Sequence, residues 1–295
     1  MTRDPPADTD LLKGAIDLHV HTAPDLIDRF ETDVQLAQDA REAGMRRVVV
    51  KSHVVPTAGR VDLVNEAVAA DVLAGGIALN GSVGGLNRDA AETALELGAN
   101  VVWLPTAWSA NHAGQARAAG VDRFVGQRVP GADEEIPVAG GGEVTPETRE
   151  IIDLVGEYDA VVGTGHASPP EIEAVVDACA EEGVRCLVNH PFFRVVDLPL
   201  DAQKRLTDRG AVLEYCAYSV QSTEGHSTER VARAIDTVGP EHVALATDYG
   251  QPDNPPVAGL AAFAQDVIDH GVSRDAVRRT LTETPARVLG IDADA

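Results

Sequence analysis

Two histidines close together near the N-terminus of this sequence are the first residues that could do chemistry. His19 and His21 lie two positions apart in the apolar stretch 15–22. On a β-strand, residues i and i+2 point to the same face, so both imidazoles would project together. Two neutral imidazoles from one strand end can form half of a divalent-metal site. Such pairs are also common by chance, so the prediction depends on what the other strand ends carry.

The elements that must position these side chains form a repeating pattern. Apolar β-branched runs begin near residues 15, 46, 74, 100, 159, 184, 211 and 242, and an amphipathic stretch follows each run. Most spacings are about 25 to 31 residues, which is typical of a βα unit whose helical crossover forces parallel pairing. Eight units predict a (β/α)8 TIM barrel. A doubly wound open sheet is the alternative, and the absence of a GxGxxG motif after the first run counts against it.

One gap in the repeat is longer than the others. The fourth and fifth runs lie about 59 residues apart, which predicts an insert after strand four over about residues 106–144. An excursion of this kind is expected at the barrel mouth, as a lid or an interface. No linker divides the sequence, so we expect residues 1–295 to form a single domain. Helix N-terminal signals are clearest at Thr145 and Ser168.

The predicted strand ends carry a set of polar side chains. In a TIM barrel the chemistry lies at the C-terminal ends of the strands. Five of the nine histidines fall at such positions, a concentration that predicts a metal site. The residues at these ends are His19, His21, Lys51, His53, His166, His190, Glu214 and Asp248.

These positions resemble the amidohydrolase superfamily of metal-dependent barrels. An HxH motif after strand one, one His after each of strands five and six, and an Asp after strand eight follow that family's order. The closing segment 284–290, TPARVLG, is similar to the Asn-Pro-Ala-x-x-Leu-Gly ending common in the family. The bare barrel is similar to the phosphotriesterase-like, TatD-like and aminocarboxymuconate-semialdehyde-decarboxylase-like branches. The opening DLHVHT also resembles the polymerase-and-histidinol-phosphatase (PHP) family, but the late Asp-x-His of that family is here Asp248-Tyr249-Gly250.

The resemblance implies a set of ligands and a reaction. His19, His21 and Asp248 would bind one divalent ion, expected to be Zn²⁺, and His166 would join it or bind a second ion with His190. A metal-bound hydroxide would attack an amide, lactone or ester-like bond of a small molecule, with Asp248 as proton shuttle. If His190 is not a ligand, it would polarise the carbonyl oxygen of the substrate.

The sequence departs from the family at strand four. Dinuclear members bridge two ions there with a carbamylated Lys or a Glu, but this run ends in the residues 103–106, WLPT. Lys51 and His53 from strand two, or Glu214 from strand seven, could supply a second site instead. Lys51 could equally pair with Glu214 or with a substrate carboxylate. His112, in the insert, is either a lid residue or, more often in such positions, a solvated loop histidine.

Other functions stay open at this stage. The same barrel could carry out decarboxylation or hydration of a small carboxylic acid, or PHP-type phosphoester hydrolysis. A nonenzymatic alternative is a metal-binding barrel that acts as a binding or assembly protein. A barrel with such an insert is also a candidate homo-oligomer.

Composition excludes several partners. Asp and Glu number 47 against 24 Lys and Arg, giving a net charge of −23, so neither nucleic acid nor an anionic membrane is an expected partner. No apolar run approaches the roughly 20 residues of a membrane span, and we find no signal peptide. The three cysteines form no CxxC pair, which indicates a reducing compartment. We therefore expect a cytoplasmic protein.

The acidic excess predicts that salt stabilises the protein. Lysine occurs only at positions 13, 51 and 204, which favours a salt-adapted protein from a high-salt cytoplasm over an ordinary acidic one. Because repulsion among like charges is screened by salt, we expect the melting temperature to rise between low and molar KCl. Thermal unfolding followed by circular dichroism measures this, and a melting temperature independent of KCl would argue against salt adaptation.

Overall fold

Every apolar run in the sequence forms a barrel strand. The computed structural model describes residues 9–292. The third strand is interrupted at Gly75 and is therefore given as two pieces. The strands are β1 (Ile16–Val20), β2 (Arg47–Val50), β3 (Leu73–Ala74 and Gly76–Ala78), β4 (Val101–Trp103), β5 (Val161–Gly163), β6 (Arg185–Asn189), β7 (Val212–Cys216) and β8 (Val243–Ala246).

The strands pair in parallel in chain order and close on themselves. The break in β3 divides the barrel into two hydrogen-bonded ladders. One runs from β1 to the first piece of β3, and the other runs from the second piece of β3 to β8. All neighbouring strands in both ladders are parallel. The closing seam joins β1 to the segment after β8 through a parallel bridge between Val20 and Tyr249. There the amide of His21 donates to the carbonyl of Tyr249 at 2.8 Å, and the amide of Asp248 donates to that of His19 at 2.8 Å. The predicted (β/α)8 barrel is confirmed, and the open doubly wound sheet is excluded by this closure.

Helices follow the strands and surround them. Thr145 and Ser168 are N-caps as expected, and Ser168 and Glu171 form a capping box. Pro at the first helical position follows both caps, where its missing N–H costs nothing. The helices are α1 (Asp33–Glu42), α2 (Ala58–Val68), α3 (Arg88–Glu96), α4 (Ala110–Ala118), α5 (Pro146–Glu157), α6 (Pro169–Glu182), α7 (Leu200–Asp208), α8 (Ala217–Ser222), α9 (Thr228–Val238), α10 (Pro256–Asp269), α11 (Arg274–Leu281) and α12 (Glu283–Leu289).

The apolar core has two layers. The outer layer lies between the strands and the surrounding helices and includes Val48, Val50 and Leu213. The inner layer fills the barrel, where Trp103 is fully buried and packs with apolar residues of other strands and of α12. A filled interior leaves the carboxyl ends of the strands as the place for a polar site. Within residues 9–292, no helix combines the length and the apolar character needed to cross a bilayer.

The insert after β4 folds over the barrel mouth. It contains α4 and two short hairpins, Arg123–Phe124 with Gln127–Arg128 and Ala139–Gly140 with Glu143–Val144. The Trp108 indole N–H donates to the side-chain oxygen of Gln127 at 2.7 Å. This bond fixes the first hairpin to the segment that follows β4, so that Phe124 and Val125 reach the cavity described below.

Gly250 is required at the closing seam. Its φ is +124°, and an added Cβ would collide with the backbone carbonyl of His21. Gly271 also has positive φ (+100°), but a Cβ added there would meet no atom of the described chain within 4 Å beyond its sequence neighbours. We expect Gly271→Ala to cost about 1–2 kcal/mol of unfolding free energy from backbone strain, and Gly250→Ala roughly 1–3 kcal/mol more from overpacking. Urea denaturation of both variants measures the difference, and equal losses would show that the seam tolerates the added atom.

Candidate metal centre

Three of the expected ligands converge at the closing seam. The Nε2 atoms of His19 and His21 lie 3.1 and 3.0 Å from Oδ1 of Asp248. The ligand atoms of these residues lie within 4.8 Å of one another, and all three residues are buried. Because β1 and the end of β8 are hydrogen-bonded neighbours, residues some 230 positions apart in the chain meet here.

Buried partners orient both imidazoles toward this centre. Nδ1 of His19 lies 2.9 Å from Oε2 of Glu214, and Nδ1 of His21 lies 2.9 Å from the carbonyl oxygen of Lys51, to which it donates. With Nδ1 engaged, each Nε2 is left to face the other ligands, as in metal sites whose histidines are held by outer hydrogen bonds. Glu214 also accepts from the side-chain amide of Asn189 at 2.9 Å.

Asp17, within β1, stabilises the same seam by hydrogen bonds. Its carboxylate accepts from the hydroxyl of Thr247 at 2.7 Å and from the backbone amide of His19 at 3.0 Å. Burial raises the pKa of Asp17 to about 7, against the effect of these hydrogen bonds. Its contact is with the backbone of His19, and its role is to fix β1 against β8.

Two site residues have strained backbone conformations. His190, with φ of 31°, and Asp248, with φ of 53°, lie in the left-handed region, which residues other than glycine seldom adopt. Both residues lie just beyond the carboxyl end of a strand. Strain of this kind, about 1–3 kcal/mol for each residue, is concentrated at functional sites, where the surrounding structure holds it.

Burial keeps the site histidines in the neutral form that binds metals. It lowers the pKa of His19 and of His190 to about 3. The pKa values of His21, His53 and His166 are also held well below the ordinary value, mainly by burial. Neutral imidazole nitrogens beside a carboxylate are a donor set that suits Zn²⁺. The residues present therefore fit a divalent ion at the His19–His21–Asp248 group.

Lys51 reaches the same centre from β2. Its ammonium nitrogen lies 3.2 Å from Nε2 of His19 and 5.2 Å from the ring centre of Trp103. Burial lowers the pKa of Lys51, while the negative charges of Asp248 and Glu214 oppose that shift. A Lys51–Glu214 ion pair was one alternative from the sequence, but the described contacts of the Lys51 ammonium are with His19 and Trp103. Glu214 binds His19 instead, and burial raises its pKa to about 7.

The remaining predicted histidines form a second group beside the first. His166 is in ring contact with His190 and His53, at centroid distances of 4.9 and 6.1 Å. His53 stacks on His21 at 4.9 Å and is held by the Thr106 hydroxyl, 2.8 Å from its Nδ1. His190 carries a buried Nδ1 atom without a hydrogen-bond partner in the described part of the chain. The structure thus places His166 and His190 next to the three-residue group and not within it.

His112 differs from what its position in the insert predicts. Such a position favours a solvated loop histidine, yet His112 is buried on α4. Its Nδ1 lies 2.5 Å from Nδ1 of His166, and burial lowers its pKa to about 4. Its position in the insert concealed this contact, since no spacing rule relates residue 112 to residue 166.

A cavity of about 380 Å³ opens onto this centre. Arg29, Arg194 and Tyr218 line this cavity and are not among the residues that the sequence predicted for the site. The loops that follow strands of a TIM barrel are expected to build the active site, so Arg29 after β1 and Arg194 after β6 could have been considered from their positions. The cavity is lined by His19, His21, Ile27, Arg29, His53, Phe124, Val125, His166, Phe193, Arg194, Tyr218, Ser222, Asp248 and Gln251.

Fold and site together define a class of protein. A closed barrel of eight parallel strands with histidines and a carboxylate at the strand ends is the fold of the amidohydrolase-type barrels that the sequence resembles. The chain belongs to the family of unknown function DUF6282, whose model matches residues 14–214. No curated protein matches the sequence significantly.

Solved structures show the same fold at low sequence identity. An amidohydrolase from Pseudomonas aeruginosa is 12% identical with a TM-score of 0.60, covering 97% of this chain and 98% of that one. A probable 2-pyrone-4,6-dicarboxylic acid hydrolase from Acinetobacter baumannii is 12% identical with a TM-score of 0.62, covering 94% and 100%. A 2,6-dihydroxybenzoate decarboxylase from Rhizobium is 13% identical with a TM-score of 0.54, covering 94% and 99%.

Metal content should depend on the three converging residues. We expect His21→Ala to lower bound Zn²⁺ to well under half an equivalent, because removing one of three donors leaves an incomplete site. The exposed surface residue His270 provides the matched control, and His270→Ala should retain the wild-type content. Elemental analysis after dialysis against Zn²⁺ measures both variants. Full occupancy in His21→Ala would contradict the assignment.

The orienting role of Glu214 is testable in the same way. Glu214→Gln keeps the size of the side chain but removes the charge that holds the Nδ1 proton of His19. We expect Zn²⁺ affinity to fall about tenfold or more, as for other outer partners of metal-binding histidines. Competition with a chelating dye measures the affinity. An unchanged affinity would show that the Glu214 contact supports the barrel interior only.

Proposed function

We propose that this protein is a metal-dependent hydrolase that cleaves an amide, lactone or ester-like bond of a small molecule. The observation that carries the proposal is the convergence of His19, His21 and Asp248 at the floor of a cavity large enough for a small substrate. Small-molecule sites usually have volumes of about 300–1,000 Å³, so this cavity can admit a substrate to the metal ligands.

The bound ion and Asp248 would have separate tasks. His19, His21 and Asp248 would hold the ion, and a Zn²⁺-type ion supplies a water whose pKa is lowered to about 7. Asp248 is the ligand with an exposed fraction, 12% of its side chain, whereas His19 and His21 are 1–2% exposed. Its carboxylate can therefore accept the proton of the attacking water and return it to the leaving group.

His190, whose ring centre lies 5.8 Å from that of His19 and 4.9 Å from that of His166, would act on the substrate carbonyl from behind the residues that line the cavity. Its imidazole is neutral because burial lowers its pKa to about 3, and its Nδ1 has no hydrogen-bond partner among the described side chains. A neutral imidazole keeps one N–H, which can donate to an oxygen that gains negative charge during the attack. If a second ion is present, His190 would instead hold it together with His166, and Lys51 or His53 would complete that site.

A second candidate reaction uses the same cavity. The structural neighbour from Rhizobium is a 2,6-dihydroxybenzoate decarboxylase, so the fold also occurs in an enzyme that removes CO₂ from a small acid. Release of CO₂ without consumption of water would identify this reaction. Release of inorganic phosphate from a generic phosphoester would instead indicate PHP-type chemistry.

The hydrolase proposal is tested by a substrate screen with one variant and one control. The screen uses Zn²⁺-loaded protein with lactones, aryl esters and amides. We expect Asp248→Asn to lower kcat about 10²–10⁴-fold on any active substrate, because it removes the proton acceptor. Asp236→Asn, on the exposed face of α9, should leave kcat unchanged. Elemental analysis in parallel separates loss of the metal from loss of proton transfer.

Two outcomes would overturn this function. No turnover of any class of bond, with Zn²⁺ fully bound, would favour a binding or assembly protein. Turnover that persists in Asp248→Asn with its metal retained would remove Asp248 from the reaction and require another base.

A further inference from the structure

The cavity contains two guanidinium groups that the proposed reaction does not use. Arg29 lies in the loop after β1, and Arg194 follows four residues after His190 in the loop after β6. Both line the same cavity as His19, His21 and Asp248. In a chain with a net charge of −23, two cations at one opening form a local exception to the charge of the surface.

Arg29 is a buried cation close to the metal centre. Only 1% of its side chain is exposed, and a single oxygen of Asp25 contacts both Nε, at 2.8 Å, and Nη2, at 2.6 Å. Nη2 has no well-directed hydrogen bond within the described chain. Arg29 lines the same cavity as His21 and His53. Arg29 thus retains donors after its pairing with Asp25.

Arg194 differs from Arg29 in having no acidic partner among the described residues. No carboxylate oxygen of that part of the chain lies within 4.0 Å of its guanidinium, although the sequence contains 47 acidic residues. Its guanidinium carbon lies 5.9 Å from the ring centre of Phe193. Tyr218 lines the same cavity. Burial raises its pKa, and Asp248 adds to that rise while Arg194 and Arg29 oppose it.

Four apolar side chains also line the cavity. Ile27, Phe124, Val125 and Phe193 line it, and Val125 has a left-handed φ of 44°, an uncommon conformation for a β-branched residue. Val125 and Gly126 form the two-residue turn of the first insert hairpin. The lining of the cavity therefore combines apolar side chains, two arginines and the His19–His21–Asp248 group.

We propose, on the basis of the hydrolase function above, that the substrate is an organic acid whose carboxylate is bound by Arg194 and Arg29 while its reacting bond lies at the metal centre. Planar guanidinium groups bind carboxylates through paired N–H donors. Asp25 already offsets the charge of Arg29, so the two arginines and Asp25 leave one net positive charge. That charge matches a carboxylate monoanion better than a phosphate dianion.

Binding of acids and their esters tests this without requiring turnover. The probes are benzoate, phenylacetate and butyrate, each compared with its methyl ester. Binding is measured by isothermal titration calorimetry on Zn²⁺-loaded protein at fixed ionic strength. For at least one pair we expect the acid to bind tenfold or more tightly than the ester. Arg194→Gln should abolish that preference, and Arg194→Lys should retain part of it.

The controls distinguish the arginine from other anion sites. Arg233→Gln removes an exposed arginine of α9, paired with Glu229, and should leave the preference unchanged. Arg194 is exposed, so its replacement should not prevent folding, whereas Arg29→Gln would leave Asp25 unpaired. An acid preference that survives Arg194→Gln would show that Arg194 does not bind the carboxylate and would overturn the proposal. Tighter binding of phenyl phosphate than of benzoate would also overturn it, in favour of phosphate esters.

The binding experiment and the substrate screen together distinguish a failure of the organic-acid site from a failure of the hydrolase function. Hydrolysis of neutral lactones or esters with no preference for acids would leave the function intact and reject the organic-acid substrate. An acid preference that depends on Arg194, in a protein that turns over no substrate in the screen, would support the organic-acid site and count against the hydrolase.

Discussion

The arrangement of this site depends on the pairing of the first barrel strand with the segment after the last one. The amides of His21 and Asp248 donate across that seam to the carbonyls of Tyr249 and His19, so the backbone itself sets the distance between the two histidines and the carboxylate. Parallel strands place their carboxyl ends side by side, which is why residues from opposite ends of the chain present donors to one point. Asp17 and Gly250 serve the same seam, one by hydrogen bonds and the other by the absence of a side chain.

Burial of the site side chains costs free energy, and it also keeps the histidines in the neutral form that binds metals. Taking several imidazoles and carboxylates out of water disfavours their charged forms, so the histidines are neutral and Glu214 has a pKa of about 7. Neutral imidazole nitrogens are good metal ligands, and the Nδ1 atom of His190 has no hydrogen-bond partner in the described part of the chain. A bound cation would compensate carboxylates that are otherwise costly to bury.

The insert after β4 belongs to the site as well as to the surface. Ser109 and Asn111, at the start of α4, donate to the carbonyl of His166, and His112 contacts its ring. The same insert supplies Phe124 and Val125 to the cavity wall. One segment therefore positions the candidate ligand His166 and also forms part of the cavity wall.

The sequence determined the architecture because periodicity is a local property. Eight apolar runs at a regular spacing, each followed by an amphipathic stretch, were enough to predict the barrel, its insert and the strand ends that carry His19, His21 and Asp248. The tertiary structure alone decided which of the strand-end residues share a centre, since that depends on strand register and side-chain direction. It separated His166 from the three-residue group, placed Lys51 on His19, and buried His112. It also brought Arg29 and Arg194 to one cavity, because the position of a loop side chain is fixed by contacts between segments far apart in the chain.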